Sequence, residues 1–263
     1  MSSLKTAGNF TLLCIASLTI MVGTLLAPGL VTIADGLGIQ SNSVLLITLP
    51  SLGAVVFAPL AGRLIDKYGA YPLLIIGLFL YGLVGACAYV LHGPTLVFIN
   101  RFALGGITAI VMASCTVLIS TWYSGEARLN MIAKQGMAIE LGGVIFLFIG
   151  GLLAVQHWAL PLSLYLTCWL FPGSELLFAA GNHPQAQEAQ EVQATQEHII
   201  SNKGLSLKHV YSLAVLAMVT FFSAIVLLPS TMHAQNYNEE QVGFLLSFIS
   251  LVAVVGAHFM PQL

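Results

Sequence analysis

The sequence predicts an all-α membrane protein, with six helices in an N-terminal bundle, a polar linker, and two further helices that begin a second bundle. Three observations carry this prediction. Of 263 residues, 58% are hydrophobic and only 7% charged, with a mean hydropathy of +0.93. A soluble domain carries about 25% charged residues. Apolar runs long enough to cross a bilayer, about 17 to 25 residues each, recur along most of the chain. The loops between them carry Lys and Arg on one side only. The net charge of −2 says little, because the placement of the eight basic residues matters more than their sum.

Hydropathy, punctuated by Gly, Pro and polar residues, sets the elements in order. The first spans 10–33. Its lead, MSSLKTAGNF, imitates a signal peptide, but the run from Phe10 to Ile33 is too long for a signal core and lacks a small-residue cleavage site. It therefore reads as a retained first helix. The second spans 42–61 and contains Pro50 and Pro59, which, with Pro28 in the first, are expected to bend their helices. The third to sixth span 72–91, 95–121, 131–154 and 158–180. Residues 181–208, rich in Gln, Ala and Glu, read as a solvated cytoplasmic linker with a short helix across 186–198. A regulatory or partner-binding role for the linker has no motif behind it. Segments at 209–229 and 241–260 follow, so the expected domains are 1–180, the linker 181–208, and a partial second bundle 209–263.

The connections after the first, third, fifth and seventh segments contain no Lys or Arg. On the other side lie Lys5, Arg63, Lys67, Arg128, Lys134, Lys203 and Lys208, which is seven of the eight basic residues. Positive charge is retained on the cytoplasmic side, which places the N-terminus there. Missing one crossing would scramble the two sides, so the charge pattern also supports the helix count. An internal repeat supports the two-part design. SLGAVVFA at 51–58 and SLVAVVGA at 250–257 match at six of eight positions, aligning the second helix before the linker with the second helix after it. Cys14, Cys87, Cys115 and Cys168 lie inside apolar segments without CxxC spacing and read as small packing residues.

Residues 62 to 69 read GRLIDKYG. Gly62, Leu64, Asp66, Lys67 and Gly69, in the cytoplasmic loop between the second and third helices, resemble the G-x-L-x-D-[RK]-x-G signature of the major facilitator superfamily. Arg101 with Gly105 and Gly106, in the run RFALGGI, is similar to that family's R-x-x-x-G-x-G pattern in the fourth helix. The loop WYSGEARLNMIAKQG, with Glu126 and Arg128, looks like its connection between the fourth and fifth helices. The chain also departs from the pattern. Ala70 and Tyr71 stand where the family has a basic pair, which leaves Asp66, Lys67, Glu126 and Arg128 as candidates for its charge relay. In the fifth helix the antiporter pattern G-x-x-x-G-P-x-x-G-G is half present, as Gly142, then Phe146 and Leu147, then Gly150 and Gly151. The family's two six-helix halves would need about 400 residues, so this chain is expected to be a natural truncation, a disrupted gene or a partial sequence.

The resemblance implies a drug-efflux-like secondary transporter in the bacterial cytoplasmic (inner) membrane, working as a monomer in the lipid bilayer. It implies alternating access, a small-molecule substrate of hydrophobic or weakly charged character, and coupling to protons or another ion. No cofactor, metal site, nucleic-acid partner or enzymatic activity is expected. The alternative is a truncated, nonfunctional remnant or a noncatalytic membrane protein.

Two ionisable residues fall at membrane depth, where a charge costs roughly 2.5 to 3.5 kcal/mol on insertion scales. Arg101 and Glu140 are expected within about 8 Å of each other in depth at 1.5 Å per residue. They read either as a gating or coupling residue with a proton or cation site, or as a static pair joining the fourth and fifth helices. Asp66 is expected to cap a helix or pair with Arg128 as a latch that breaks when the bundles rock apart. Gly62 and Gly69 are expected to permit a tight turn. Gly105, Gly106, Gly142, Gly150 and Gly151 are expected at close helix contacts, since packing in lipid relies on small residues. Asp35, Glu175, Glu239 and Glu240 read as solvated interfacial residues.

Overall fold

The computed structural model describes residues 2–39, 42–170 and 207–259. Among these, all regular structure is helical. Most of the linker expected at 181–208 lies outside the described residues, with Glu175, Lys203 and the last ten positions of the sixth segment.

Among the described residues, four helices are long and apolar enough to cross a bilayer. They are α4 (Leu45–Tyr68), α5 (Ala70–Cys87, continued by a 3₁₀ turn to Val90), α6 (Pro94–Trp122) and α7 (Gly125–Gln156). Their near-continuous apolar sequence suits a helix surrounded by lipid and by other helices, because every backbone group can be paired within the helix itself.

The first segment is not the continuous helix expected. It forms α1 (Ser2–Leu18), α2 (Met21–Thr24) and α3 (Leu30–Gly36). Pro28 supplies no N–H to the ladder, and hydroxyls compete for its carbonyls. Ser17 Oγ donates to Cys14 O at 2.7 Å, Thr19 Oγ1 to Ala16 O at 2.7 Å and Thr24 Oγ1 to Ile20 O at 2.9 Å. The sixth segment also departs from a regular helix. Its described part is a single turn, α8 (Leu160–Ser163), running into a 3₁₀ stretch, Leu164–Leu170.

The fifth helix starts earlier than expected. Its predicted start at 131 becomes Gly125, with only Tyr123 and Ser124 joining it to α6. Arg128 and Lys134 are therefore helical residues. After the linker come α9 (Leu207–Ala234) and α10 (Glu239–Phe259).

The most extensive helix contact is between α4 and α6, and its closeness follows from glycine. A Cβ on Gly53 would stand 2.1 Å from the Phe102 carbonyl oxygen, and one on Gly105 would stand 1.9 Å from that of Pro50. Phe57 and Phe102 meet edge to face beside this seam, with centroids 5.6 Å apart. On its other side α6 meets α5, where Gly77 admits Val111.

A second seam joins α7 to the first segment on one side and to α10 on the other. Gly142 admits Ser17, Gly150 admits the Leu25 carbonyl, and Gly151 lies against Glu239 and Gly243 of α10. Ser247 Oγ crosses the same contact to Val144 O at 3.0 Å. At one end of the bundle the Tyr123 hydroxyl donates to Asn9 Oδ1. At the opposite end Gly93 N donates to Leu37 O at 2.9 Å.

Candidate functional site

Arg101 lies on α6, seven residues after Pro94, or roughly 10 Å from the N-terminal end of that helix at 1.5 Å per residue. Its surface exposure is 0%, which makes it the largest fully buried side chain described. The sequence predicts burial at this register, but not the neighbours.

Nη1 donates to the Tyr165 hydroxyl at 3.5 Å, a long contact, and the guanidinium carbon lies 5.9 Å from the Tyr165 ring centroid. Nε and Nη2 have no hydrogen-bond partner among the described residues. Beside this group, Tyr81 meets Tyr165 edge-on, with centroids 5.3 Å apart, and is itself 1% exposed. The Tyr81 hydroxyl donates to Leu18 O at 2.8 Å, where α1 stops. Asn100, next to Arg101 in sequence, donates from Nδ2 to Val84 O at 2.9 Å, fixing α6 against α5.

Room for the tyrosines comes from α5. A Cβ on Gly85 would stand 2.2 Å from Cγ of Tyr165, and one on Gly82 2.5 Å from Nε1 of Trp169. Trp169 donates that N–H to Phe79 O at 3.2 Å and stacks on the Phe79 ring. Tyr81, Tyr165, Gly82 and Gly85 escape sequence reading. Tyrosine and glycine in apolar runs are ordinary, and only the meeting of α5 with the sixth segment gives them a role.

Glu140 is not Arg101's partner. It lies sixteen residues before Gln156 on α7, roughly 24 Å from the C-terminal end of that helix. It is half-buried, and no ion pair joins the two among the described residues. The expected pairing fails for a simple reason: α6 presents Arg101 toward Tyr165 and Tyr81 rather than toward α7.

The GRLIDKYG run is also differently placed. Residues 62 to 68 continue α4, so most of the expected loop is the last two turns of a helix. Gly69, with φ +87°, ends that helix in a conformation that favours glycine. Gly62 is helical, and a Cβ there would meet nothing within 4 Å, so the turn does not depend on it.

Leu64 packs against the core, while Asp66 and Lys67 are exposed. Lys67 Nζ stands 5.0 Å from the Tyr68 ring centroid. Glu126 falls in the first turn of α7, where a carboxylate suits the positive end of the helix dipole. Arg128 follows it, half-buried. No ion pair joins Asp66, Lys67, Glu126 and Arg128 among the described residues, so the expected contact between Asp66 and Arg128 is absent in this conformation.

Glu239 corrects another expectation. Instead of standing free at the interface, it accepts a hydrogen bond from Thr32 Oγ1 of α3. The contact ties the first segment to the first turn of α10 across 207 residues of sequence. Beyond the C-terminal ends of α5 and α7, a cleft of about 520 Å³ lies between Tyr89, His157, Leu160 and Leu166. Neither Arg101 nor Glu140 lines it.

Set against known proteins, residues 12–263 match the family model of the Major Facilitator Superfamily. Among individual relatives, the chain is 31% identical over 108 residues to "Multidrug resistance protein 1" of Bacillus subtilis (strain 168), covering 41% of this chain and 28% of the relative. It is 29% identical over 163 residues to "Multi-drug resistance efflux pump PmrA" of Streptococcus pneumoniae serotype 4 (strain ATCC BAA-334 / TIGR4), covering 60% of this chain and 39% of the relative. It is 30% identical over 145 residues to the "Uncharacterized MFS-type transporter YfiU" of Bacillus subtilis (strain 168), covering 54% and 28%. The matched part thus spans between 28% and 39% of these relatives' own length.

Proposed function

The chain belongs to the major facilitator superfamily, and from that membership we propose that it carries the N-terminal bundle and the start of the second bundle of a proton-coupled efflux transporter. It is a multi-pass membrane protein of a transporter family. The proposed substrate is a small hydrophobic or weakly charged molecule, in keeping with the multi-drug efflux named for one of its relatives. The proposed location is the bacterial cytoplasmic (inner) membrane with the N-terminus inside, which the one-sided placement of Lys and Arg supports. The proposed domains are 1–180, the linker 181–208, and 209–263.

The single observation that carries the reading is Arg101, a guanidinium with no exposed surface and two nitrogens without a hydrogen-bond partner among the described residues. Burying a charge without full compensation costs several kcal/mol, and an ionisable side chain at membrane depth marks a pathway or coupling site more often than a scaffold. In the proposed cycle Arg101 responds to substrate or proton occupancy, and Glu140, half-buried near the middle of α7, exchanges the coupling proton. Alternating access is proposed at the outer end, where Thr32 meets Glu239 and Gly151 meets Gly243. Separating the halves there would exchange these contacts for water. Asp66, Lys67, Glu126 and Arg128 form the proposed inner latch, ready to find partners in another conformation, and Gly69 makes the turn beside it.

Ethidium movement in proteoliposomes with an imposed pH gradient, extended to a panel of hydrophobic cations and neutral compounds, tests the reading. Gradient-driven movement is expected from the parent protein and its loss from R101Q and E140Q at equal protein abundance. Transport that ignores the gradient, or survives both substitutions, would overturn the coupling assignment.

A further inference from the structure

Arg101 makes no hydrogen bond to the first segment, yet two tyrosines connect it to the place where that segment breaks. Helix α1 stops at Leu18, which leaves carbonyls of its last turn without an N–H four residues on. One of them, Leu18 O, is taken by the Tyr81 hydroxyl at 2.8 Å. The Tyr81 ring abuts the Tyr165 ring at 5.3 Å and 61°. The Tyr165 hydroxyl accepts from Arg101 Nη1, and the same ring lies 5.9 Å from the guanidinium carbon. All three side chains are fully or almost fully buried, so the line has no slack toward solvent.

The walls are equally firm. Tyr165 rests on Gly85 so closely that a Cβ there would overlap its ring, and Trp169 occupies the neighbouring gap at Gly82. Tyr165 therefore cannot retreat toward α5 when Arg101 shifts. A close-packed interior transmits such a shift instead of absorbing it.

We infer that Tyr165 and Tyr81 are positioning residues that link the state of Arg101 to the bend in the first segment. Tyr165 holds the guanidinium, and Tyr81 passes its displacement to the Leu18 carbonyl at the α1 break. The bend is where the helical ladder of the first segment is interrupted, because α1 and α3 are joined only by α2 and the stretch around Pro28. The inference deepens the proposed coupling role of Arg101 and rests on it for its purpose. The mechanical link itself can be tested without any substrate.

The experiment places spin labels at Phe10 and Asp35, both exposed and on opposite sides of the break, in a background without native cysteines. Pulsed electron resonance reads the distance between them in the full chain in nanodiscs. R101Q is expected to shift that distance distribution. Y81F, which keeps the ring and removes the donor to Leu18, is expected to abolish most of the shift that R101Q causes, so the two changes are not additive.

Y165F supplies a second route, since it keeps the packing and loses only the hydroxyl, and R101K should restore part of the parental distribution by retaining the charge. The inference is overturned if R101Q leaves the distribution unmoved, or if its effect adds to those of Y81F and Y165F. Loss of gradient-driven ethidium transport in R101Q with additive distances would defeat the link and leave the coupling role standing. Non-additive distances with unchanged transport would defeat the coupling role and leave the link standing.

Discussion

At the scale of single residues, Arg101 and Glu140 show how differently two ionisable groups at membrane depth can be housed. Arg101 is enclosed by aromatic rings with part of its hydrogen-bonding capacity unmet, while Glu140 keeps partial exposure on α7. A side chain kept for scaffolding should lower stability when lost. A buried cation without a carboxylate partner should do the reverse, since an apolar replacement of similar length removes the desolvation cost, about 1 to 4 kcal/mol in comparable cases. R101M is therefore expected to raise the apparent melting temperature of detergent-solubilised protein while abolishing coupled transport, and a lowered melting temperature would mark Arg101 as structural. The position of Arg101 inside its helix was legible because hydropathy sets helix ends. Its partners were not, since helical register says which residues share a face and not which neighbour that face meets.

At the scale of elements, glycines divide by what their missing side chain permits. Gly105 allows α6 to touch the backbone of α4 at Pro50, and even a methyl group would collide there. Gly62 sits in open space on the same α4. G105V is expected to cost more than the roughly 1 to 3 kcal/mol typical of overpacking, because the obstacle is backbone, and to reduce folded protein on size-exclusion chromatography. G62A is expected to hold or raise stability by about 0.5 to 1 kcal/mol through helix propensity. Equal damage from both would refute this division. Sequence spacing alone could nominate all these glycines together, and only packing separates them. The broken first segment has the same lesson. Ser17, Thr19, Thr24 and Pro28 are each tolerated in a membrane helix, and whether hydroxyls and proline interrupt it depends on neighbours such as Tyr81 that take up the exposed carbonyls.

At the scale of the whole molecule, Thr32 and Glu239 join the first segment to α10 through a polar side-chain contact. A T32C/E239C variant, in a background without native cysteines, is expected to form a disulfide under mild oxidation and to stop transport until reduced. Ready cross-linking with undiminished transport would show that the outer contact never has to open.

The helical class of the chain, its membrane character and the approximate places of its four long apolar helices were legible in the sequence by itself. Each follows from the thickness and apolar nature of the bilayer acting on one segment at a time. Only the tertiary structure decided that Arg101 faces two tyrosines rather than Glu140, that GRLIDKYG continues a helix, and that Glu239 reaches back to Thr32. These depend on which helix faces are brought together, and in lipid that choice rests on close packing between distant segments, which no single stretch of sequence contains.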